Sequence, residues 1–173
     1  MQTIIKFVLV VLIGAVIASA CKKENAPLEM PSFSASDWLN AADAGFDSTL
    51  ATQAGADDYG MRQYVMAFLK SGPNRDQDST TAAALQKAHL ANITRMAAAG
   101  QLVLAGPFLD EGEVRGFYIF KVAAVEEARA RTESDPAIEA GRLVMDLHPW
   151  YGSAALMWTN KLHKRLEKQS VAE

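Results

Sequence analysis

Three histidines, one cysteine and an aspartate beside a proline are the residues of this chain whose types and positions could do chemistry. His89 falls in line with Leu85, Ile93 and Met96 at spacings of four, four and three, the stripe of a helix that faces a core. An imidazole among apolar neighbours needs either a partner inside the core or a pocket onto which it opens. In the second case its chemistry would be proton transfer. Asp135 stands immediately before Pro136, which keeps its backbone out of the helical region. Two uses stay open for it: a turn aspartate that bonds nearby amides, or a carboxylate that reaches His89 across the fold. The second would fix the imidazole tautomer and raise its basicity, leaving the other ring nitrogen for protons. His148 ends an apolar run before Pro149 and Trp150, and no histidine or carboxylate at ligand spacing supports a metal or haem role for it. His163 lies in the basic cluster Lys161 to Arg165, which suits a solvated helix face. Neither a Gly-x-Ser-x-Gly motif nor a phosphate-cradling glycine loop occurs, so no cofactor and no metal are expected.

The single cysteine, Cys21, rules out an internal disulfide. It follows a short positive region at Lys6, an apolar run from Phe7 to Ile17, and the small residues Ala18-Ser19-Ala20. The apolar run is shorter than the roughly 20 residues of a membrane-spanning helix, and Lys22-Lys23-Glu24 follows it. The whole resembles a lipoprotein signal, with the Cys21 thiol as the lipidated new N-terminus and Ala18 where such signals favour leucine. A plain cleaved signal ending at Ala20 and an uncleaved anchor are the alternatives. Lys22 after the cysteine is similar to sorting signals for the outer membrane. The expected location is therefore the bacterial cell envelope, with the membrane as a partner through lipid on Cys21.

The elements that must position His89 and Asp135 begin near Tyr59. Residues 21–58 mix charge, proline, serine and alanine and read as a tether, with one short helical piece from Ala35 to Ala42 opened by Ser36-Asp37. Arg62 to Lys70 predicts a strand, and Ser79 or Thr80 caps a helix that Gly100 stops. Gln101 to Ala105 and Val114 to Ala123 are the next two strands, joined by the turn at Asp110-Glu111-Gly112-Glu113. Val125 to Glu133 is a second helix, with Glu126 and Glu127 suiting its dipole, and Asp135-Pro136 breaks it. Arg142 to Pro149 is the fourth strand. Ala154 to Lys168 is a final amphipathic helix with Ala155, Trp158, Leu162 and Leu166 on one stripe. The fold class is α+β: a ferredoxin-like βαββαβ sandwich with an extra C-terminal helix.

The strand pattern adds a partner. Tyr64, Met66 and Phe68 alternate with Val65, Ala67 and Leu69, and Phe117 and Ile119 alternate with Tyr118, Phe120 and Val122. Both faces of the sheet are apolar, and two helices cover only one, so a second copy is expected on the other. The net charge of -3, or -4 without Lys6, gives no electrostatic case for nucleic acid.

Tyr64-Val65-Met66, Ala88-His89-Leu90, Gly100 to Pro107, Ser134-Asp135-Pro136 with Ala140-Gly141, and His148-Pro149-Trp150 occur in that order. As an ordered set over residues 59–151 they resemble the YciI-like (YCII-related) domain family. The resemblance implies a dimeric α/β barrel of two ferredoxin-like subunits packed sheet on sheet. It also implies a site centred on His89 and Asp135, with Gly106 and Pro107 as a backbone wall to its pocket. Tyr64, Phe117 and Tyr118 are strand aromatics with two uses, lining a pocket for a flat or cyclic molecule or filling the core. An unknown small molecule would be the ligand, and lyase or isomerase chemistry the activity. A non-catalytic ligand-binding or scaffold lipoprotein is the alternative. The division expected is a signal segment at 1–20, a lipidated tether at 21–58, the domain at 59–151 and a C-terminal helix at 152–173.

Overall fold

The computed structural model describes residues 45–170. The signal segment, Cys21 and the expected helix from Ala35 to Ala42 lie outside the described residues. Four strands, β1 (Met61–Ser71), β2 (Leu102–Pro107), β3 (Val114–Phe120) and β4 (Leu143–Ser153), form one antiparallel sheet in the order β2-β3-β1-β4. Helix α2 (Ser79–Ala98) joins β1 to β2, and α3 (Val125–Thr132) with the short α4 (Pro136–Glu139) joins β3 to β4. The βαββαβ order and the antiparallel 4-strand sheet make the fold ferredoxin-like, as the hydrophobic pattern predicts.

The two strands that are apolar on both faces, β1 and β3, are the central pair. Val65, Ala67, Leu69, Tyr118 and Phe120 pack beneath the helices with Met96 of α2 and Ala128 of α3. Tyr64, Val103 and Ile119 are buried on the opposite side. There the structure narrows the sequence expectation. The chain's own Leu156 and Met157 cover Tyr64 and Ile119, so a second copy is not needed for that half of the face. Met66, Phe68, Leu104 and Phe117 remain only partly buried.

Local chemistry accounts for the other departures. Asp78, rather than Ser79 or Thr80, caps α2, since its carboxylate accepts from the amides of both Thr80 and Thr81 at 2.9 Å. The stretch expected to be tether contains α1 (Ser48–Ala54), capped by Asp47 and closed by Gly55 in the left-handed conformation. Ala54 is buried with Ala154 and Trp158, so the packed unit begins before Tyr59. Strand β3 ends at Phe120, short of the expected Ala123, while β4 runs on to Ser153. Pro149 is tolerated inside β4 because β4 is an edge strand, where a missing N–H breaks no ladder.

The C-terminal helix is also not one piece. A 3-10 turn (Ala154–Trp158) precedes α5 (Thr159–Leu166). The tighter 3-10 winding shifts the phase of the side chains. Trp158 is therefore buried, while Leu166 is 82% exposed and Ala155 lies in solvent. Asn160 of α5 donates to the carbonyl of Leu102 on the other edge strand, β2. No helix among the described residues is long and apolar enough to cross a membrane.

The loop that carries Asp135 is tied to the start of the α2 loop. Gly72 N–H donates to Arg142 O at 2.9 Å, and Asn74 N–H to Gly141 O at 3.0 Å. The approach is close: a Cβ on Gly72 would stand 2.2 Å from the carbonyl oxygen of Gly141. Gly72→Ala is accordingly expected to lower unfolding stability by about 1–3 kcal/mol in urea denaturation. Gly106→Ala, whose Cβ meets nothing within 4 Å, serves as the control and should change it far less.

Candidate active site

Helix α2 and the α3–α4 corner meet at a buried polar cluster. Asp135 is 1% exposed and His89 6%. The imidazole Nδ1 lies 3.0 Å from both carboxylate oxygens of Asp135. Three further facts hold the aspartate. Its backbone N–H donates to Thr132 O, its Oδ1 accepts from the Ala137 amide at 3.0 Å, and its Oδ2 accepts from Asn92 Nδ2 at 2.9 Å. Pro136 at the first position of α4 gives up an N–H that would have had no helical partner. Both sequence readings of Asp135 therefore hold together. It is a turn aspartate that caps α4, and it reaches His89.

Asn92 carries no motif of its own, yet it sits one turn along the His89 stripe, and that spacing was the signal available. Arg95 in turn orients it, donating to Asn92 Oδ1 from Nη2 at 2.7 Å and from Nε at 3.2 Å.

Burial by itself pushes the Asp135 carboxyl upward. The hydrogen bonds from His89 and Asn92, the His89 charge and the Ala137 amide outweigh it and hold the group below its ordinary range. With Asp135 ionised, Nδ1 is the donor nitrogen of the pair and Nε2 the one that faces away from it. Tyr118 of β3 stands there, its hydroxyl 3.3 Å from Nε2 and its ring stacked on the imidazole. Burial, then the negative charge of Asp135, push the Tyr118 hydroxyl well above the ordinary tyrosine range, so it stays protonated and donates to Nε2.

His89 and Tyr118 line a cavity of about 420 Å³ together with Gly106, Pro107, Leu90 and Ile93. That size is typical of small-molecule sites, which run from about 300 to 1,000 Å³. Gly106 and Pro107 thus line the cavity, as the resemblance implies, and Tyr64 does not. Its parity on β1 turns it to the opposite face, where it is fully buried and its hydroxyl donates to Ser153 O at 2.9 Å. His148 is on that opposite face too, 3.1 Å from Asp146, which also pairs with Lys70 at 2.7 Å. Residues two apart on a strand share a face, so Asp146 was the carboxylate to look for beside it. His163 is exposed and pairs with Glu167. Among the described residues no three His, Cys, Asp or Glu side chains gather as metal ligands.

Residues 64–150 match the family model of the YCII-related domain. Among solved structures, 5-chloro-2-hydroxyhydroquinone dehydrochlorinase (TftG) from Burkholderia phenoliruptrix AC1100, in complex with 2,5-dihydroxybenzoquinone, is similar to the chain. The two are 21% identical, with a TM-score of 0.39, over 51% of this chain and 93% of that one. No curated protein matches the sequence.

The depressed carboxyl of Asp135 has a consequence for acid stability. Its folded value lies below the unfolded value of about 3.9, so ionised Asp135 favours the fold above that pH. The contribution is lost as pH falls through the folded value. Asp135→Asn lacks this linkage. It should be less stable than the natural chain by about 3 kcal/mol at neutral pH, with the gap closing below about pH 4. Urea unfolding across the pH range measures this, and a gap that stays constant down to pH 3 would remove the linkage.

Proposed function

The chain belongs to the YCII-related domain family, and from its buried cluster we propose that it is an enzyme of small-molecule proton transfer, a lyase or isomerase. The observation that carries this is the Nδ1 contact of His89 with an ionised, buried Asp135 at the wall of a cavity. In this mechanism Nε2 takes a proton from a C–H or O–H bond of the substrate. Asp135 stabilises the imidazolium that forms and keeps the ring oriented. The electron pair of the broken bond then shifts within the substrate. It either expels a leaving group, which is elimination, or accepts the proton back at another atom, which is isomerisation. The Tyr118 hydroxyl, 3.3 Å from Nε2, either gives way to the substrate or passes its own proton to Nε2 as it takes the substrate's.

The Tyr118 bond also favours a second reading. An imidazole with both nitrogens bonded is a satisfied core residue, and the protein would then be a non-catalytic ligand-binding or scaffold lipoprotein. Deuterium exchange and product formation, followed by proton NMR on a panel of small ring compounds with acidic C–H bonds, separate the two. Under the enzymatic reading at least one compound reacts, and His89→Asn, which keeps an N–H donor for Asp135, slows it at least about 100-fold. Wild-type rates in that variant would exclude His89 from the chemistry, and an inert panel supports the scaffold.

Two further proposals accompany either reading. Lipid on Cys21 would hold the protein in the bacterial envelope, at the outer membrane; the apolar run and the small residues before Cys21 support it. The half-covered patch of Met66, Phe68 and Phe117 would be the contact of a homodimer. Light scattering should give twice the mass of the chain, and Phe68→Asp should shift it to the single mass. A monomer at micromolar concentration counts against the dimer.

A further inference from the structure

The cavity beside His89 carries charge that the proton transfer does not use. Three of its lining residues, Arg75, Arg115 and Arg142, are arginines, and none is acidic. This stands out in a chain whose net charge is -3. They converge from separate places: Arg75 from the loop between β1 and α2, Arg115 from the start of β3, and Arg142 from the residue before β4. Each donates within the protein to a neutral acceptor. Arg75 reaches Arg142 O at 3.3 Å, Arg115 reaches Gly112 O at 3.2 Å, and Arg142 reaches Gln77 Oε1 at 2.9 Å.

Among the described residues none of the three lies within ion-pair distance of an aspartate or glutamate. A guanidinium has five N–H donors in a planar fork that matches a carboxylate, so most of their donors are left over. Asp135, the partner of His89, is already engaged by His89, Asn92 and the Ala137 amide. The remaining wall is mainly apolar, with Leu90, Ile93 and Leu143.

We propose that the cavity takes a small organic carboxylate, its apolar body against Leu90, Ile93 and Leu143 and its charge held by Arg75, Arg115 and Arg142. The proposal rests on the acid–base reading of His89, since the arginines orient the anion so that its reacting carbon faces Nε2. Like-signed charges gathered in one cavity are tolerable when a bound anion neutralises them, and they raise its local concentration beforehand.

The test is calorimetric titration of the full-length chain in nonionic detergent with benzoate, phenylacetate and cyclohexanecarboxylate, each beside its uncharged amide. At least one acid should bind about tenfold more tightly than its amide, and its affinity should fall as salt rises. Arg75→Gln with Arg115→Gln, both exposed residues, should weaken that acid about tenfold and leave the melting midpoint unchanged. Equal affinity for acids and amides, no binding by any acid, or full affinity in the double variant would overturn the proposal. His89→Asn keeps the two ideas apart. Charge-selective binding with unimpaired turnover in that variant sinks the acid–base reading alone, and turnover lost there with charge-blind binding sinks the anion alone.

Discussion

A carboxylate taken almost wholly out of water is the constraint on which the rest of this structure depends. Burying the Asp135 charge is costly unless donors replace the lost hydration, and two elements supply them. Helix α2 provides His89 and Asn92 and α4 provides the Ala137 amide, while the Thr132 carbonyl at the end of α3 accepts the Asp135 backbone N–H. None of these donors can move far without leaving the charge uncompensated. The cluster therefore fixes how α2 sits against the α3–α4 corner, and through Gly72 and Gly141 how that corner meets the end of β1.

What the sequence made legible follows from short-range physics. The period of two along β1 and β3 and the period of nearly four along α2 reproduce the element order, the central strands and the face on which His89 lies. Asp135 could be located as a corner residue because Pro136 permits little else. Its distance to His89 was not legible, since the two are 46 positions apart and only packing brings them together. The same holds for Tyr118, which read as a cavity or core aromatic; its bond to Nε2 depends on the register of β3 beside β1.

Misread stretches have equally physical causes. Helix α1 is too short and too polar to show a periodic face, although Asp47 and Gly55 mark both of its ends. The C-terminal stripe assumed one uniform winding, and a 3-10 turn breaks that assumption at its first residue. Tyr64 reads from its type alone as an aromatic for the pocket or the core. The alternation of β1 puts it on the opposite side from Val65 and Ala67, and hence from His89.

Both borders of the sheet are closed to strand addition, each by a different device. On β2, Asn160 occupies the Leu102 carbonyl, and α5 lies against the strand. On β4, Pro149 removes an amide from the ladder that an incoming strand would need. Copies of this protein therefore gain little by extending one another's sheets edge to edge, the route that leads towards fibrils. The homodimer proposed from the half-covered patch of Met66, Phe68 and Phe117 would use the broad side of the sheet instead, a contact that closes on itself at two copies.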